Sequence, residues 1–211
     1  GATAEPDSLC QLETDTNLTG NLCPWAGEMV GTTAFCARRQ IPGHQVVIAQ
    51  IDTGFMLDHP ALQGRLVSDG IDLSGDGRAN AAYDTRQRGA TYWHATAVAS
   101  VLAGNTDENV KILPYKVVRF GTDTCTASAV LAAMEDAVAK GARVLNMSLS
   151  TSQNRAGFAA MMDKAAALGV AVCCSAGNAG AQIGNRYPSA LPQAITVSAV
   201  TADKTVAGFS N

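Results

Sequence analysis

Apolar and polar positions fall into short alternating blocks from about residue 41 onward. Val46-Val47-Ile48-Ala49-Gln50-Ile51 is a β-branched apolar run closed by Asp52-Thr53-Gly54, the pattern of a buried strand that ends in a carboxylate. From Trp93 the residues become small and apolar. Val98, Val101 and Leu102 stand at helical spacing, which predicts a short buried helix with His94 at its start and Gly104-Asn105 at its end. Val110 to Val118 reads as a second strand. Between Ala127 and Lys140, the residues Val130, Leu131, Met134 and Val138 share one face of an amphipathic helix; Thr126 can cap it and Lys140-Gly141 suits its end. A strand over Arg143 to Leu149 follows. A helix from about Arg155 to Leu168 comes next, with Phe158, Met161, Met162, Ala165 and Leu168 inward and Gly169 as its stop. Val170 to Ser175 is a strand leading into Ala176-Gly177-Asn178, and Ile195 to Val200 is the last strand.

Strands alternating with helices imply right-handed βαβ units and a parallel sheet. The expected fold is α/β: a three-layer sandwich with a mainly parallel central sheet flanked by helices over residues 41–211. Residues 1–40 show no sustained period and carry Pro6, Pro24, Gly20, Gly27 and Gly31; they read as an irregular arm lying on that domain. The polar stretch from Ser68 to Gly89 reads as an exposed loop. In such a sheet the strand exits share one edge, where sites form. Asp52, Asn146-Met147-Ser148 and Gly177-Asn178 then converge there, and His94 reaches the same rim.

Composition narrows the class. The 211 residues are 47% hydrophobic and 16% charged with a formal net charge of −3, enough for a large core and too few charges for disorder. The basic residues are scattered, which points away from nucleic acid and acidic membrane surfaces. The longest apolar stretch, Ala165 to Cys174, is too short to span a bilayer. Cys10, Cys23, Cys36, Cys125, Cys173 and Cys174 contain no C-x-x-C pair, so zinc is not expected. Three of them lie in the loop-rich arm, which favours disulfides and a secreted or periplasmic setting; Cys173 and Cys174 read as reduced, buried thiols. Asn17-Leu18-Thr19 fits a glycosylation acceptor.

A buried carboxylate needs a partner, and Asp52 with His94 makes two thirds of a nucleophile-activating relay: the imidazole takes a proton and the carboxylate fixes its tautomer. Asn178 can donate to a developing oxyanion, and Gly177 lets backbone approach a ligand. These residues resemble the subtilisin family of serine peptidases. Val47-Ile-Ala-Gln-Ile-Asp52-Thr-Gly with Asp58-His59-Pro60 is similar to its aspartate motif, His94-Ala-Thr-Ala-Val-Ala-Ser to its histidine motif, Val144-Leu-Asn146-Met-Ser148-Leu-Ser150 to its pocket strand, and Ser175-Ala-Gly-Asn178-Ala-Gly to its oxyanion segment. Tyr187-Pro188 and Ile195-Thr-Val-Ser-Ala-Val200 are also similar.

The resemblance implies a serine endopeptidase in which Asp52 orients, His94 is the base and Asn178 the oxyanion donor. Ser148, Leu149, Ser150, Ala176 and Gly177 would flank the substrate pocket. The segment from Gly121 to Thr126 would add a strand to a polypeptide substrate bound in extended form. The family's Gly-Thr-Ser-Met-Ala motif is absent. Ser148, Ser150 and Ser210 do not stand in the expected strand-to-helix turn, so the nucleophile is expected on a C-terminal segment or second chain. Ala95 and Ala97 replace the usual glycine and second histidine, and Ala61 stands where a calcium-binding aspartate would be. No cofactor and no metal is expected; the acidic loop Asp69 to Asp84 reads as solvated rather than ion-binding. Two alternatives stand beside this reading. One is a catalytically inactive pseudoprotease or binding fragment. The other is an aspartic protease using Asp52, disfavoured because only one Asp-Thr-Gly is present and the pattern is not mostly β.

Overall fold

The computed structural model describes residues 9–12, 24–32, 44–83, 91–153 and 155–211. Its centre is a six-stranded parallel sheet. The strands are β2 (Val46–Asp52), β3 (Ile71–Asp72), β4 (Val110–Lys116), β6 (Val144–Met147), β8 (Ala171–Ser175) and β9 (Ala194–Val197), in the order β3-β4-β2-β6-β8-β9. The helices are α1 (Pro24–Met29), α2 (Thr91–Gly104), α3 (Ala127–Ala139) and α4 (Arg155–Ala167). A smaller antiparallel sheet joins β5 (Thr124–Thr126), β1 (Leu9–Leu12) and β7 (Leu149–Ser150), in the order β5-β1-β7.

The period-2 alternation of β2 sorts its side chains between two cores. Ala49 and Ile51 face a large cluster with Val130, Met134, Phe158 and Met162 of α3 and α4. Gln50 and Asp52 face the opposite way, towards α2, beside a second cluster of Phe55, Leu62, Ala95, Ala99, Ala103 and Ile112. Helices therefore cover both faces, as expected for an α/β sandwich. Thr126 caps α3, its hydroxyl accepting from the Ala129 N–H at 3.2 Å.

The structure corrects several expectations. On α2 the core-facing residues are Ala95, Ala99 and Ala103, whereas Val101 is 48% exposed. The helix lies on the sheet through its smallest residues, so apolar size does not mark its inner face. Leu168, expected inward, is exposed just past α4. The last strand ends at Val197 rather than Val200, and Ile195 and Val197 are exposed. The expected strand from Arg143 to Leu149 divides at Ser148 into β6 and β7, which belong to different sheets.

The loop from Ser68 is not simply solvated. It contributes β3, and its Asp72 and Asp76 enclose the ammonium of Lys116, a side chain with no exposed surface. Lys116 Nζ donates to Asp76 Oδ2 at 2.6 Å and to Ser74 Oγ at 2.5 Å, with Asp72 Oδ1 at 3.4 Å. Charged residues in a polar stretch read as surface, but here they neutralise one buried cation. Burial pushes the Asp76 carboxyl up. The hydrogen bond from Lys116, the Phe120 N–H and the lysine charge outweigh it, so the carboxyl lies below its ordinary value.

The arm, read as irregular, supplies β1 and α1, and Thr32 Oγ1 stands 3.2 Å from Asn105 Oδ1 at the end of α2. Cys10 lies opposite Cys125 in the β1–β5 register. Cys173 and Cys174 are free thiols; burial raises both, and Cys174, with Cys173 beside it, is pushed up to about 12. The expectations for Asn17, Cys23 and Cys36 lie outside the described residues.

Candidate active site

β2 and α2 bring the first two site residues together. Asp52 is the last residue of β2 and is fully buried; His94, in the first turn of α2, is 6% exposed. Asp52 Oδ1 stands 2.6 Å from His94 Nδ1. An ionised carboxylate can only accept, so the proton sits on Nδ1 and leaves Nε2 its lone pair. The other contacts of the carboxylate hold it in that direction. The Thr53 N–H donates to Oδ1 at 2.6 Å and Gln50 Nε2 donates to Oδ2 at 3.2 Å.

The strand and helix are also tied to each other directly. Gln50 Nε2 donates to the Ala95 carbonyl at 2.8 Å, and the Ala95 N–H donates to Thr53 Oγ1 at 3.0 Å. One residue further, the Met56 N–H donates to Thr96 Oγ1 at 2.9 Å. Gln50 and Thr53 were not singled out in the sequence. Their signal was present: two uncharged polar groups beside an aspartate in a buried strand must find partners nearby. Gly54 follows, where a Cβ would stand 2.3 Å from the Tyr83 Cα. Only glycine lets those two backbones pass.

A cavity of about 340 Å³ opens at the carboxyl ends of β6, β8 and β9. Asn146, Ser148, Ala176, Gly177, Asn178 and Ser210 contribute to its wall. Asn178 is exposed there, and Gly177 has φ 100°, a conformation that favours glycine. Of the expected pocket residues, Ser148, Ala176 and Gly177 line this cavity; Leu149 and Ser150 do not. Leu149 is buried in β7, and Ser150, also in β7, lies 3.3 Å from Arg186 Nη1. Gly121 is an exposed turn residue with φ 73°, ahead of β5. The pairing edge is Thr124–Thr126.

Asn211 was also missed. Its Oδ1 accepts from the N–H groups of Ala179 and Ala181 at 2.9 and 3.2 Å. Its Nδ2 donates to the Ala176 carbonyl at 2.9 Å, and its own N–H to the Gly177 carbonyl at 2.9 Å. One residue thus fixes the loop that carries Asn178. Among the described residues no group of three or more His, Cys, Asp or Glu could hold a metal ion, and no helix is long and apolar enough to cross a membrane.

The chain is similar to known proteins. Over 180 residues the chain is 31% identical to subtilisin DY of Bacillus licheniformis, covering 80% of this chain and 61% of that protein. It is 31% identical over 177 residues to halolysin of Haloferax mediterranei, covering 79% and 33% of the two. The chain therefore spans less than two thirds of the length of these relatives. Among solved structures, the crystal structure of a lanthipeptide protease superposes with a TM-score of 0.65 at 27% identity, covering 79% of this chain and 52% of that one. The subtilase family model matches residues 43–211, ending at the loop-fixing Asn211. With fold, motif order and the buried Asp52–His94 pair in agreement, the chain belongs to the subtilase family.

Proposed function

We propose that this chain carries the Asp–His half of a subtilisin-like serine endopeptidase, with the nucleophilic serine supplied by residues beyond 1–211, on a C-terminal segment or second chain. The observation that carries the reading is the 2.6 Å Asp52–His94 contact inside a buried network. Asp52 orients the imidazole, and His94 Nε2 takes the serine proton and later returns it to the leaving amine. Asn178 donates to the tetrahedral oxyanion from the rim of the cavity. Ser148, Ala176 and Gly177 flank the substrate side chain before the cut, and Leu149 and Ser150 offer main chain to the peptide. Gly121 lets the chain turn into the opposite wall.

Exposed apolar residues support a further segment. Ile195, Val197, Val200, Val206 and Phe209 are each more than 40% exposed around β9 and the turns after it, close to Ser210 on the cavity wall. Such a patch calls for a cover. The aspartic-protease alternative gains nothing, since the partner of Asp52 is an imidazole and not a second carboxylate. Secretion fits the Cys10–Cys125 register. Directly opposed antiparallel residues have Cα atoms about 4.5–5.5 Å apart, within the range a disulfide bridges.

The test uses the native protein treated with a fluorophosphonate. The expected label falls on a serine outside residues 1–211 and is lost in His94→Ala. A stable, lone 211-residue chain that takes no label overturns the peptidase reading in favour of a binding module.

A further inference from the structure

The loop that carries Asn178 starts where the β8–β9 pairing ends, with the Ala176 N–H donating to the Val197 carbonyl at 2.9 Å. Gly177 and Gly180 then take φ of 100° and 61°. Glycine enters and leaves such conformations freely, so the local sequence does little to fix the backbone between them. Residues 209–211 fix it instead. The Gly180 N–H donates to the Phe209 carbonyl at 2.7 Å. Asn211 bonds the carbonyls of Ala176 and Gly177 ahead of Asn178, and the N–H groups of Ala179 and Ala181 behind it, at 2.9–3.2 Å. One residue thus brackets Asn178 on both sides. The bracket is itself anchored to the stretch after β9: Ser210 Oγ accepts from the Ala199 N–H at 2.8 Å, and the Ala207 N–H donates to the Ala199 carbonyl at 3.0 Å.

We propose that Asn211 is a positioning residue for the reaction, holding residues 176–181 so that the Asn178 amide meets the tetrahedral oxygen. The inference rests on the peptidase reading, with Asn178 as oxyanion donor. Such a donor stabilises the transition state only if it is aimed before the charge develops, and a misplacement of about 1 Å can cost about 10²-fold in rate. Asn178 is exposed on the cavity rim, so its direction comes from the backbone beneath it rather than from packing around it. Asn211 accepts twice through Oδ1 and donates through Nδ2, a set that a side-chain amide provides and a carboxylate of the same shape does not. A donor moved out of line costs most where the oxygen carries the most charge. The loss therefore falls on kcat and not on KM.

The experiment uses the complete native protein, including the segment that carries the nucleophile, with dye-quenched casein as substrate. Asn211→Ala and the isosteric Asn211→Asp are each made in the native background and in Asn178→Ala. Asn211→Asp keeps the acceptor for Ala179 and Ala181 and sets an oxygen against the Ala176 carbonyl, so it tests the donated bond even if the alanine variant fails to fold. The expected result for both is a kcat lower by about tenfold to a hundredfold with KM within about twofold of native. Where Asn178 is already alanine, the further loss should be no more than about threefold, because the two residues act through one donor. Native kcat in both Asn211 variants overturns the proposal alone. So does an equal loss in both backgrounds, since a merely structural role acts whether or not Asn178 is present. Native kcat in Asn178→Ala overturns the oxyanion assignment and the proposal with it, and casein left intact by the native protein overturns the peptidase reading and both of these.

Discussion

Asp76→Asn tests whether the buried Lys116 network holds the loop from Ser68 against the sheet. The carboxylate lies 2.6 Å from Lys116 Nζ and accepts the Phe120 N–H at 2.8 Å. At an effective dielectric of about 20 its gross attraction to the ammonium is about 6 kcal/mol, and the remaining partner, Asp72 at 3.4 Å, offers about 5 kcal/mol. Removing one partner of a buried pair costs about 3–5 kcal/mol when nothing replaces it. With Asp72 in place the lower end, about 3 kcal/mol, is expected from urea unfolding at neutral pH. The difference also depends on pH. The folded Asp76 carboxyl titrates below its ordinary value of 3.8, so the unfolded chain binds the proton first. The stability that Asp76 contributes is therefore complete above that value and is lost as pH falls through the folded pKa. The gap between the two proteins should close on acidification below pH 3.8. A neutral-pH difference under about 1 kcal/mol, the range of exposed ion pairs, or a gap that does not narrow in acid, refutes the reasoning.

Other expectations concern the site. In the complete enzyme, His94→Ala should abolish nearly all turnover while circular dichroism stays unchanged; normal turnover removes His94 from the chemistry. Asn178→Ala should lower kcat by about 10²–10³ with little change in KM, because oxyanion stabilisation acts in the transition state. Gly54→Ala drives a Cβ to within 2.3 Å of the Tyr83 backbone; overpacking of about 1–3 kcal/mol should lower the melting temperature by several degrees. The Cys174 thiol, pushed up to about 12, should resist iodoacetamide at about pH 8 in the folded chain and react once denaturant is added.

The residues reveal the large sheet more readily than the small one. β2, β4 and β8 announce themselves as apolar runs, and α3 by its spacing and cap. β1 and β5 are four and three residues long, and β1 forms only by pairing with β5 and β7 from distant parts of the chain; a strand whose stabilisation is mostly main-chain pairing leaves little trace in side-chain pattern. The pairing of Asp52 with His94 was legible because a carboxylate at the end of a buried strand has few affordable partners. The same rule covers Gln50 and Thr53, buried polar groups beside that carboxylate, whereas the role of Asn211 was not legible, since an amide in a turn gains meaning only from what surrounds it. Lys116 was hidden for the opposite reason. A lysine ending an apolar strand looks like an exit to water, and only tertiary contacts show it enclosed.

The amide of Gln50 touches both the Asp52 carboxylate and the Ala95 carbonyl, while its own Oε1 has no partner among the described residues. Turned over, it would set oxygen against two oxygens, so its orientation has no low-energy alternative. The separation between acid and imidazole is thereby gauged inside the sheet–helix contact. A designer wishing to move the relay onto another scaffold should therefore carry Gln50 and Thr53 along with the acid and the imidazole.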